Sequence, residues 1–180
     1  MITDKVDGGY LPSYLRIAAD LGPGACVLEL GVYQGASLRL WQALFPYGEV
    51  TGVDCNPEAT WPAGTNTVVM RQEDPELPAA LVTLFKVQTP FSLIVDDASH
   101  MGVHTEAAFR NLWPLLAPGG YYVIEDWMIG LPEFKAHPMH DPLMEDTVSV
   151  RLRLLSSKDA DCDEITYRFG LCIVHKRITR

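Results

Sequence analysis

The sequence predicts an α/β domain built on a mostly parallel sheet with helices on both faces. Short apolar runs rich in β-branched residues alternate with helix-like segments through most of the chain. The runs are close to continuously hydrophobic, which is typical of parallel strands buried on both faces. The composition, 48% hydrophobic and 21% charged over 180 residues, suits one globular domain spanning residues 1–180.

Five apolar runs predict the parallel strands, and three segments between them predict helices. The strands are expected at residues 26–30, 49–54, 66–70, 91–96 and 121–126. The helices are expected at residues 36–45, 75–85 and 102–116. Pro75 suits the first turn of its helix. Pro118, Gly119 and Gly120 are expected to end the next helix and turn the chain into a strand.

The pattern changes after Asp126. Residues 127–146 are rich in Pro, His and Met, and they predict a loop over the active site in which His137 and His140 are exposed or contact substrate. Residues 148–155 alternate between apolar and polar, and so does much of 164–177. These two segments predict strands that close one sheet edge in antiparallel pairing, which brings the sheet to seven strands.

The charge and the hydropathy of the chain limit the classes of partner that it is expected to bind. The formal net charge of −9 argues against a nucleic acid, because phosphate binding needs a basic surface. No apolar run approaches the roughly 20 residues that span a bilayer, and the first residues lack a signal-peptide core. We therefore expect a cytoplasmic protein without a membrane partner. The four cysteines include no CxxC pair, so a zinc or redox motif is not indicated.

A glycine-rich turn follows the first strand. Glu29, Gly31 and Gly35 form E-x-G-x-x-x-G and lead directly into a helix. Such glycines allow a sharp turn and a close approach of ligand to backbone, although a plain strand-to-helix turn is the alternative. Tyr33 replaces the middle glycine of the dinucleotide fingerprint, which argues against a pyrophosphate cofactor. Asp54 ends the second strand, where a carboxylate can accept from both ribose hydroxyls, so a nucleoside cofactor is indicated.

Four segments resemble class I S-adenosylmethionine-dependent methyltransferases: LELGVYQGASL, GVDCNPE, LIVDDASH and LLAPGGYYVIED. The glycine loop is similar to that of catechol-type O-methyltransferases. The D-x-x-H of Asp97 to His100 and the pair Glu125-Asp126 more closely resemble sugar O-methyltransferases that act on macrolide deoxysugars and related glycosides. The opening TDKVDGGYLPSY resembles the T-D-K segment of that group, which also includes methylmannose polysaccharide 1-O-methyltransferases.

The resemblance implies a Rossmann-like class I methyltransferase domain, S-adenosylmethionine as cofactor, and a homodimer or higher homo-oligomer. In the binding set that it implies, the loop and Ser37 hold the amino-acid part, Asp54 the ribose and Gln72 the adenine. Tyr10 or Tyr14 would close over the cofactor, and Asp96 would be a cofactor-side acid or a structural acceptor. The implied cofactor residues are Tyr10, Tyr14, Glu29, Gly31, Val32, Tyr33, Gly35, Ser37, Asp54, Gln72 and Asp96.

Three carboxylates are expected to meet at one sheet edge. Asp97 follows the fourth strand, and Glu125 and Asp126 end the fifth. A hard divalent cation relieves their mutual repulsion, and oxygen ligands favour Mg²⁺, with Mn²⁺ or Ca²⁺ as alternatives. The metal would orient a substrate hydroxyl and lower its pKa, and His100 would remove the proton as general base. Asp96 or Asp97 as a helix cap is the alternative.

The sequence therefore predicts a Mg²⁺-dependent O-methyltransferase of natural-product biosynthesis that acts on a sugar or glycoside, with His100 and Asp97 as catalytic residues. The neighbourhood of the site offers His100 rather than the lysine of catechol-type enzymes, which favours sugar hydroxyls over phenols. A phenol O-methyltransferase is the first alternative. A nicotinamide-dependent oxidoreductase and a non-catalytic cofactor-binding protein are the others.

Overall fold

The computed structural model describes residues 3–85, 90–136, 142, 161–168 and 170–178. Seven strands in these ranges form one sheet in the order β3-β2-β1-β4-β5-β7-β6. The strands β1 to β5 pair in parallel, and β7 and β6 add an antiparallel edge. The strand bounds are β1 Val27–Leu30, β2 Val50–Asp54, β3 Asn66–Val69, β4 Phe91–Asp96, β5 Leu116–Glu125, β6 Cys162–Arg168 and β7 Leu171–Lys176.

Five α-helices and three short 3₁₀ helices accompany the sheet in the described residues. The α-helices are α1 Asp4–Asp7, α2 Leu11–Leu21, α3 Ala36–Leu44, α4 Leu77–Phe85 and α5 Gly102–Leu112. The 3₁₀ helices are Trp113–Leu115, Trp127–Gly130 and Pro132–Phe134. The short helix α1 and the following α2 lie in a segment for which the sequence analysis predicted no helix. Within the described part of the chain, every helix is too short to cross a bilayer.

The two sheet faces have separate hydrophobic cores, because successive strand residues point to opposite sides. Leu28 and Ile94 pack with Leu81 of α4 and Phe109 of α5 on one face. The residues next to them along the strands, Val27 and Val95 among others, pack on the opposite face with Ile17 of α2 and Trp41 of α3. The predicted α/β fold is therefore confirmed, with seven strands, helices on both faces and an antiparallel C-terminal edge.

The turn predicted at Pro118-Gly119-Gly120 is instead a bulge inside β5. Phe91 pairs with Leu116 and Leu93 with Tyr121, so the extra residues of β5 loop out between two paired positions. Gly119 has a φ of 76°, a conformation that favours glycine. The preceding helix ends at Leu112, and the helix predicted from Pro75 begins at Leu77.

The C-terminal antiparallel pair has a different composition from the predicted one. Residues 164–177, expected to contain one strand, form most of a hairpin, in which Gly170 at φ 75° separates β6 from β7 and Arg168 pairs with Leu171. Cys162 and Asp163, expected in the connecting loop, belong to β6. The predicted strand 148–155 and the loop histidines His137 and His140 lie outside the described residues.

Candidate active site

A cleft of about 800 Å³ opens where the carboxyl ends of the parallel strands meet the loops that follow them. Ligands of open α/β sheets bind at this edge. Its wall includes the glycine loop, the end of β2 and the segment after β4, together with Asp126 beyond β5. Thr3 also lines it, so the N-terminal segment contributes to the cleft.

The glycine loop is held in shape by Asp54. Its Oδ2 accepts hydrogen bonds from the main-chain N–H groups of Val32 and Tyr33 at 2.8 and 2.9 Å, and its Oδ1 accepts from Asn56 at 2.8 Å. Gly31 has a φ of 86°, and a Cβ there would collide with the carbonyl of Asp97. The loop therefore depends on glycine for its contact with the segment after β4. Because Asp54 already serves the loop, its contact with ribose stays a prediction.

Ten of the eleven residues predicted to bind the cofactor divide into two groups, and Gly35 is described separately. Six line the cleft: Gly31, Val32, Tyr33, Ser37, Asp54 and Gln72. Four others, Glu29, Asp96, Tyr10 and Tyr14, are buried and are not part of the cleft wall. Gly35 turns the chain into α3 with a φ of 70°, close to the Thr60 carbonyl and to Pro62. The loop and the end of β2 are therefore the parts of the predicted set that face the cleft.

Asp96 is a hydrogen-bond acceptor on the α4/α5 face of the sheet. Its Oδ1 accepts from the Gln72 side-chain amide at 3.0 Å, and the Gln72 oxygen accepts from the N–H of Ser99 at 2.8 Å. Burial raises the pKa of Asp96 to about 6, against the opposing influence of His100. Asp96 is thus engaged by Gln72 inside the protein, and its expected role as a cofactor-side acid or as an acceptor for backbone N–H groups stays a prediction.

A buried lysine stands beneath the cleft among three carboxylates. Lys5 Nζ lies 2.8 Å from Asp97 Oδ2, 3.1 Å from Glu125 Oε1 and 3.2 Å from Glu29 Oε1. We call these four residues the Lys5 cluster. Burial alone would lower the pKa of Lys5, but Glu29, Glu125 and Asp97 raise it well above its ordinary value. The ammonium therefore stays charged and compensates the acids.

Neutral donors complete the Lys5 cluster. The Tyr14 hydroxyl donates to Glu125 Oε1, and the Ser37 hydroxyl donates to Glu29 Oε2 at 2.7 Å. Burial and the charge of Asp97 raise the pKa of Glu125, whereas Lys5 and Tyr14 oppose the rise. Glu125, predicted as a metal ligand, is thus hydrogen-bonded inside the protein. The buried position of Glu125 follows from strand alternation, because this last residue of β5 points to the same α2/α3 face as Val123.

Asp97, His100 and Asp126 form the group that faces the cleft, which we call the cleft triad. One ligand atom of each lies within 4.8 Å of the other two. His100 Nε2 is 3.9 Å from Asp126 Oδ2, and the Tyr10 hydroxyl donates to Asp126 Oδ1. Asp97 and Asp126 of the predicted ligand set therefore lie in this group with His100, whereas Glu125 contacts Lys5; the predicted metal ligands Asp97, Glu125 and Asp126 stay a prediction.

Backbone strain is concentrated in the same cleft. Among the described residues, three that are not glycine have positive φ: Tyr33 at 50°, Asp126 at 51° and His100 at 57°. All three line the cleft. Such conformations cost free energy and persist where the surrounding structure enforces them, commonly at functional sites. The positive φ of Asp126 explains why it leaves the strand direction and turns towards the cleft.

Lys5 and the partners of the two tyrosines were not predicted from the sequence. The expectation that the neighbourhood of the site contains no lysine is wrong, because Lys5 Nζ lies 2.8 Å from Asp97 Oδ2. The opening T-D-K segment contains Lys5, but nothing in its local pattern indicates a partner about a hundred residues away. The alternation that separates Asp96 from Asp97 is a usable signal for the fifth strand. Applied to Glu125 and Asp126, it indicates that these neighbours face different surroundings.

The fold and the site together define a class of protein with a ligand cleft at the carboxyl edge of a seven-stranded sheet. Residues 28–127 match a family model described as a methyltransferase domain, and the chain belongs to this family. A tetracenomycin-C rhamnosyl 3'-O-methyltransferase of Streptomyces olivaceus is 37% identical over 117 residues. Demethylmacrocin O-methyltransferase of Streptomyces fradiae is 36% identical over 135 residues.

A solved structure, the MycE methyltransferase of the mycinamycin biosynthetic pathway in complex with Mg, SAH and mycinamycin VI, is similar along nearly the whole chain. Its TM-score is 0.72 at 26% identity, and the match covers 92% of this chain and 49% of MycE. The two curated relatives match over 60% and 70% of this chain, and these matches cover 29% and 33% of the relatives' own lengths. The matched part of this chain therefore corresponds to about half of MycE and to about a third of each curated relative.

Proposed function

We propose that this chain is an S-adenosylmethionine-dependent O-methyltransferase that requires a divalent cation, with residues 1–180 as its methyltransferase domain. The proposed acceptor is a hydroxyl of a sugar or of a glycosylated small molecule of natural-product biosynthesis. The observation that carries the proposal is the cleft triad, which opens into the same cleft as the glycine loop. A methyl donor and an acceptor hydroxyl can therefore meet beside an acid-base group.

The cleft triad fits a divalent cation. Asp97 and Asp126 offer carboxylate oxygens, the ligands preferred by Mg²⁺ and also accepted by Mn²⁺ and Ca²⁺. His100 is within the same 4.8 Å grouping and can be either a ligand or a base. Glu125 is the third proposed ligand, and its carboxylate oxygens contact Lys5 and Tyr14 in this structure. When bound, Mg²⁺ would lower the pKa of an acceptor hydroxyl, and S-adenosylmethionine would supply the methyl group on its sulfonium.

The residues of this chain provide orientation and proton transfer. His100 is fixed beside Asp126 by its backbone and can accept the proton of an acceptor hydroxyl in the cleft. Asp126 is in turn held by Tyr10, so the carboxylate that faces His100 has one oxygen already engaged. The loop from Gly31 to Tyr33, whose main-chain N–H groups are held by Asp54, would bind and orient the methyl donor.

Two observations support a sugar rather than a phenol as acceptor. The relatives quoted above carry names that describe methylation of sugars on tetracenomycin and related glycosides, and MycE was solved with mycinamycin VI. In addition, Lys5 is fully buried in the Lys5 cluster, so it does not offer the free amine that a catechol-type base would need. A phenolic acceptor is the outcome that would replace this proposal.

The test measures methyl transfer from S-adenosylmethionine to a rhamnosyl or deoxysugar glycoside and, in parallel, to a catechol. We expect transfer to the glycoside that stops in EDTA and returns with Mg²⁺. His100→Ala should lower turnover by about 10²–10⁴-fold, the usual contribution of a general base, and should keep binding of S-adenosylhomocysteine. His175→Ala, at a histidine on β7 that stacks on Tyr121, is the matched control. Binding of NAD instead, or full activity in EDTA, would refute the proposal.

We also infer a small-molecule substrate and a cytoplasmic location, without a nucleic-acid or membrane partner. We further infer that the protein forms a homodimer or a higher homo-oligomer. The net charge of −9 supports the absence of a nucleic-acid partner. Light scattering of the purified chain would test the oligomer, and a monomer at working concentration would contradict it.

A further inference from the structure

Lys5 is buried without contact with bulk water, yet it is ion-paired to carboxylates that follow or belong to three different strands. Its exposed fraction is 0%, and Glu29 and Glu125 beside it are 0% and 2% exposed. Asp97, which belongs to both the Lys5 cluster and the cleft triad, is 15% exposed. The cluster therefore connects the protein interior to the cleft through one shared carboxylate.

The geometry shows how Lys5 divides the acids between the two groups. Nζ engages Asp97 through Oδ2, and it engages Glu125 through both carboxylate oxygens, at 3.1 and 3.2 Å. Tyr14 also donates to Glu125, so that carboxylate has two different donors inside the protein. Without the ammonium, three like charges would face one another in a buried space, which is strongly unfavourable.

We propose that Lys5 is an internal counter-ion that competes with a divalent cation for Asp97 and Glu125. It stabilises the acids when the cleft holds no cation, and its positive charge weakens cation binding at the cleft triad. Lys5 is thus a positioning residue, since it acts through Asp97 and Glu125 and does not line the cleft. This inference rests on the proposed cation site.

Two consequences distinguish a counter-ion from a merely structural residue. Removing the charge of Lys5 should make the protein less stable without a cation, as for any broken buried ion pair. It should also make cation binding tighter, because a repelling charge within a few ångströms is lost and Glu125 becomes available. A lysine with a purely structural role would give only the loss of stability. If its removal disordered Asp97, cations would bind more weakly, not more tightly.

The experiment measures Mn²⁺ binding, from the electron paramagnetic resonance signal of the free ion, and thermal unfolding with and without Mn²⁺. Lys5→Met should bind Mn²⁺ at least about tenfold more tightly than the natural chain, an order of magnitude expected for one nearby charge. Its unfolding midpoint should fall without Mn²⁺ and should recover more with Mn²⁺ than that of the natural chain. Lys135→Met, at an exposed lysine, is the control and should change neither property.

A second variant protects the test against misfolding. Lys5→Met combined with Glu29→Gln removes one positive and one negative charge and keeps the acceptor of Ser37. It should show the same gain in Mn²⁺ affinity. Unchanged or weaker Mn²⁺ binding in a folded variant would overturn the inference, and so would failure of both variants to fold even with Mn²⁺. If the natural chain binds no Mn²⁺, the proposed cation site itself fails.

Discussion

Tyr10 and Tyr14 are four residues apart at the start of α2, and their hydroxyls reach two neighbouring acids at the end of β5. Tyr10 donates to Asp126, which faces the cleft, and Tyr14 donates to Glu125, which faces Lys5. The side chain of Asp126 is 33% exposed, whereas that of Glu125 is 2% exposed. A tyrosine hydroxyl therefore donates to a carboxylate in both places, once at the cleft and once in the protein interior.

Glu125 and Asp126 differ in their surroundings because one is the last residue of β5 and the other lies beyond its end. Glu125 is the last residue of β5, so its side chain follows the strand alternation into the interior. Asp126 has left the strand with a φ of 51° and points into the cleft. One acid is therefore suited to stability and its neighbour to binding, although both look alike in the sequence.

The variants Asp126→Asn and Glu125→Gln test most directly whether the two acids have different roles. Asp126→Asn should lower turnover by about 100-fold or more, as loss of a partner around a metal does, and should leave stability nearly unchanged, since Asn tolerates positive φ. Glu125→Gln should lower the free energy of unfolding by ~1–3 kcal/mol and affect turnover less. Equal losses of turnover, measured with saturating Mg²⁺, would show that Glu125 is also a ligand.

Gly170→Ala should disturb the cleft through Tyr10, which holds Asp126. Gly170 has a φ of 75°, and a Cβ there would overlap the hydroxyl end of Tyr10. We expect a loss of about 2–4 kcal/mol in the free energy of unfolding, from backbone strain and overpacking together. Turnover should also fall, because Tyr10 holds Asp126.

Gly22→Ala is the matched control for that change. Gly22 has a φ of 78°, but a Cβ there would meet nothing within 4 Å. It should cost only backbone strain of about 1–3 kcal/mol, because its ψ of 169° together with the positive φ is a combination nearly exclusive to glycine. Equal costs at both positions, measured by denaturant unfolding, would show that Tyr10 yields easily to the hairpin turn.

Tyr14→Phe and Tyr10→Phe test the two hydroxyls directly. Tyr14→Phe removes a buried hydrogen bond to an acid, and it should lower the free energy of unfolding by about 1.5–3 kcal/mol with little change in turnover. Tyr10→Phe should have a smaller effect on stability and should lower turnover about tenfold, because Asp126 loses its orientation. Urea unfolding and initial rates measure the two effects. An identical profile for both variants would contradict the proposed division of roles.

Tyr121→Phe should have the smallest effect. The Tyr121 hydroxyl of β5 donates to Asp20 of α2 at 2.8 Å. Like the contact of Tyr14, this hydrogen bond joins α2 to β5, but it is exposed to solvent. Burial and Asp20 raise the pKa of Tyr121 to about 12, above the value of about 10 for an unfolded chain. Its contribution to stability is therefore present below about pH 10 and is lost as the pH rises towards 12.

The phenylalanine variant should lose at most ~0.5 kcal/mol at neutral pH, as is usual for an exposed polar contact. It should also lack the part of the alkaline destabilisation that Tyr121 causes. Unfolding curves of both proteins between pH 8 and 12, in the range set by the two pKa values, provide the measurement. A stability advantage of the natural protein over the variant that grows above pH 10 would contradict the assignment.

Local pattern in the sequence is enough to predict the strands, the glycine loop and the cleft edge. The buried runs and the position of Asp97 after β4 follow from alternation and strand polarity, which act over a few residues. Lys5 could not be predicted in the same way, because its partners are 92 and 120 residues away. The hairpin at Gly170 was missed since both its strands alternate in the same manner as one longer strand.

The separation of 120 residues between Lys5 and Glu125 has a consequence for the order of folding. Contacts between distant parts of a chain carry a high entropic cost and form late. The parallel strands can begin to pair while Lys5 still lacks two of its three acids. We therefore expect the cleft to mature in the last folding step, when the first helix docks against the completed fifth strand.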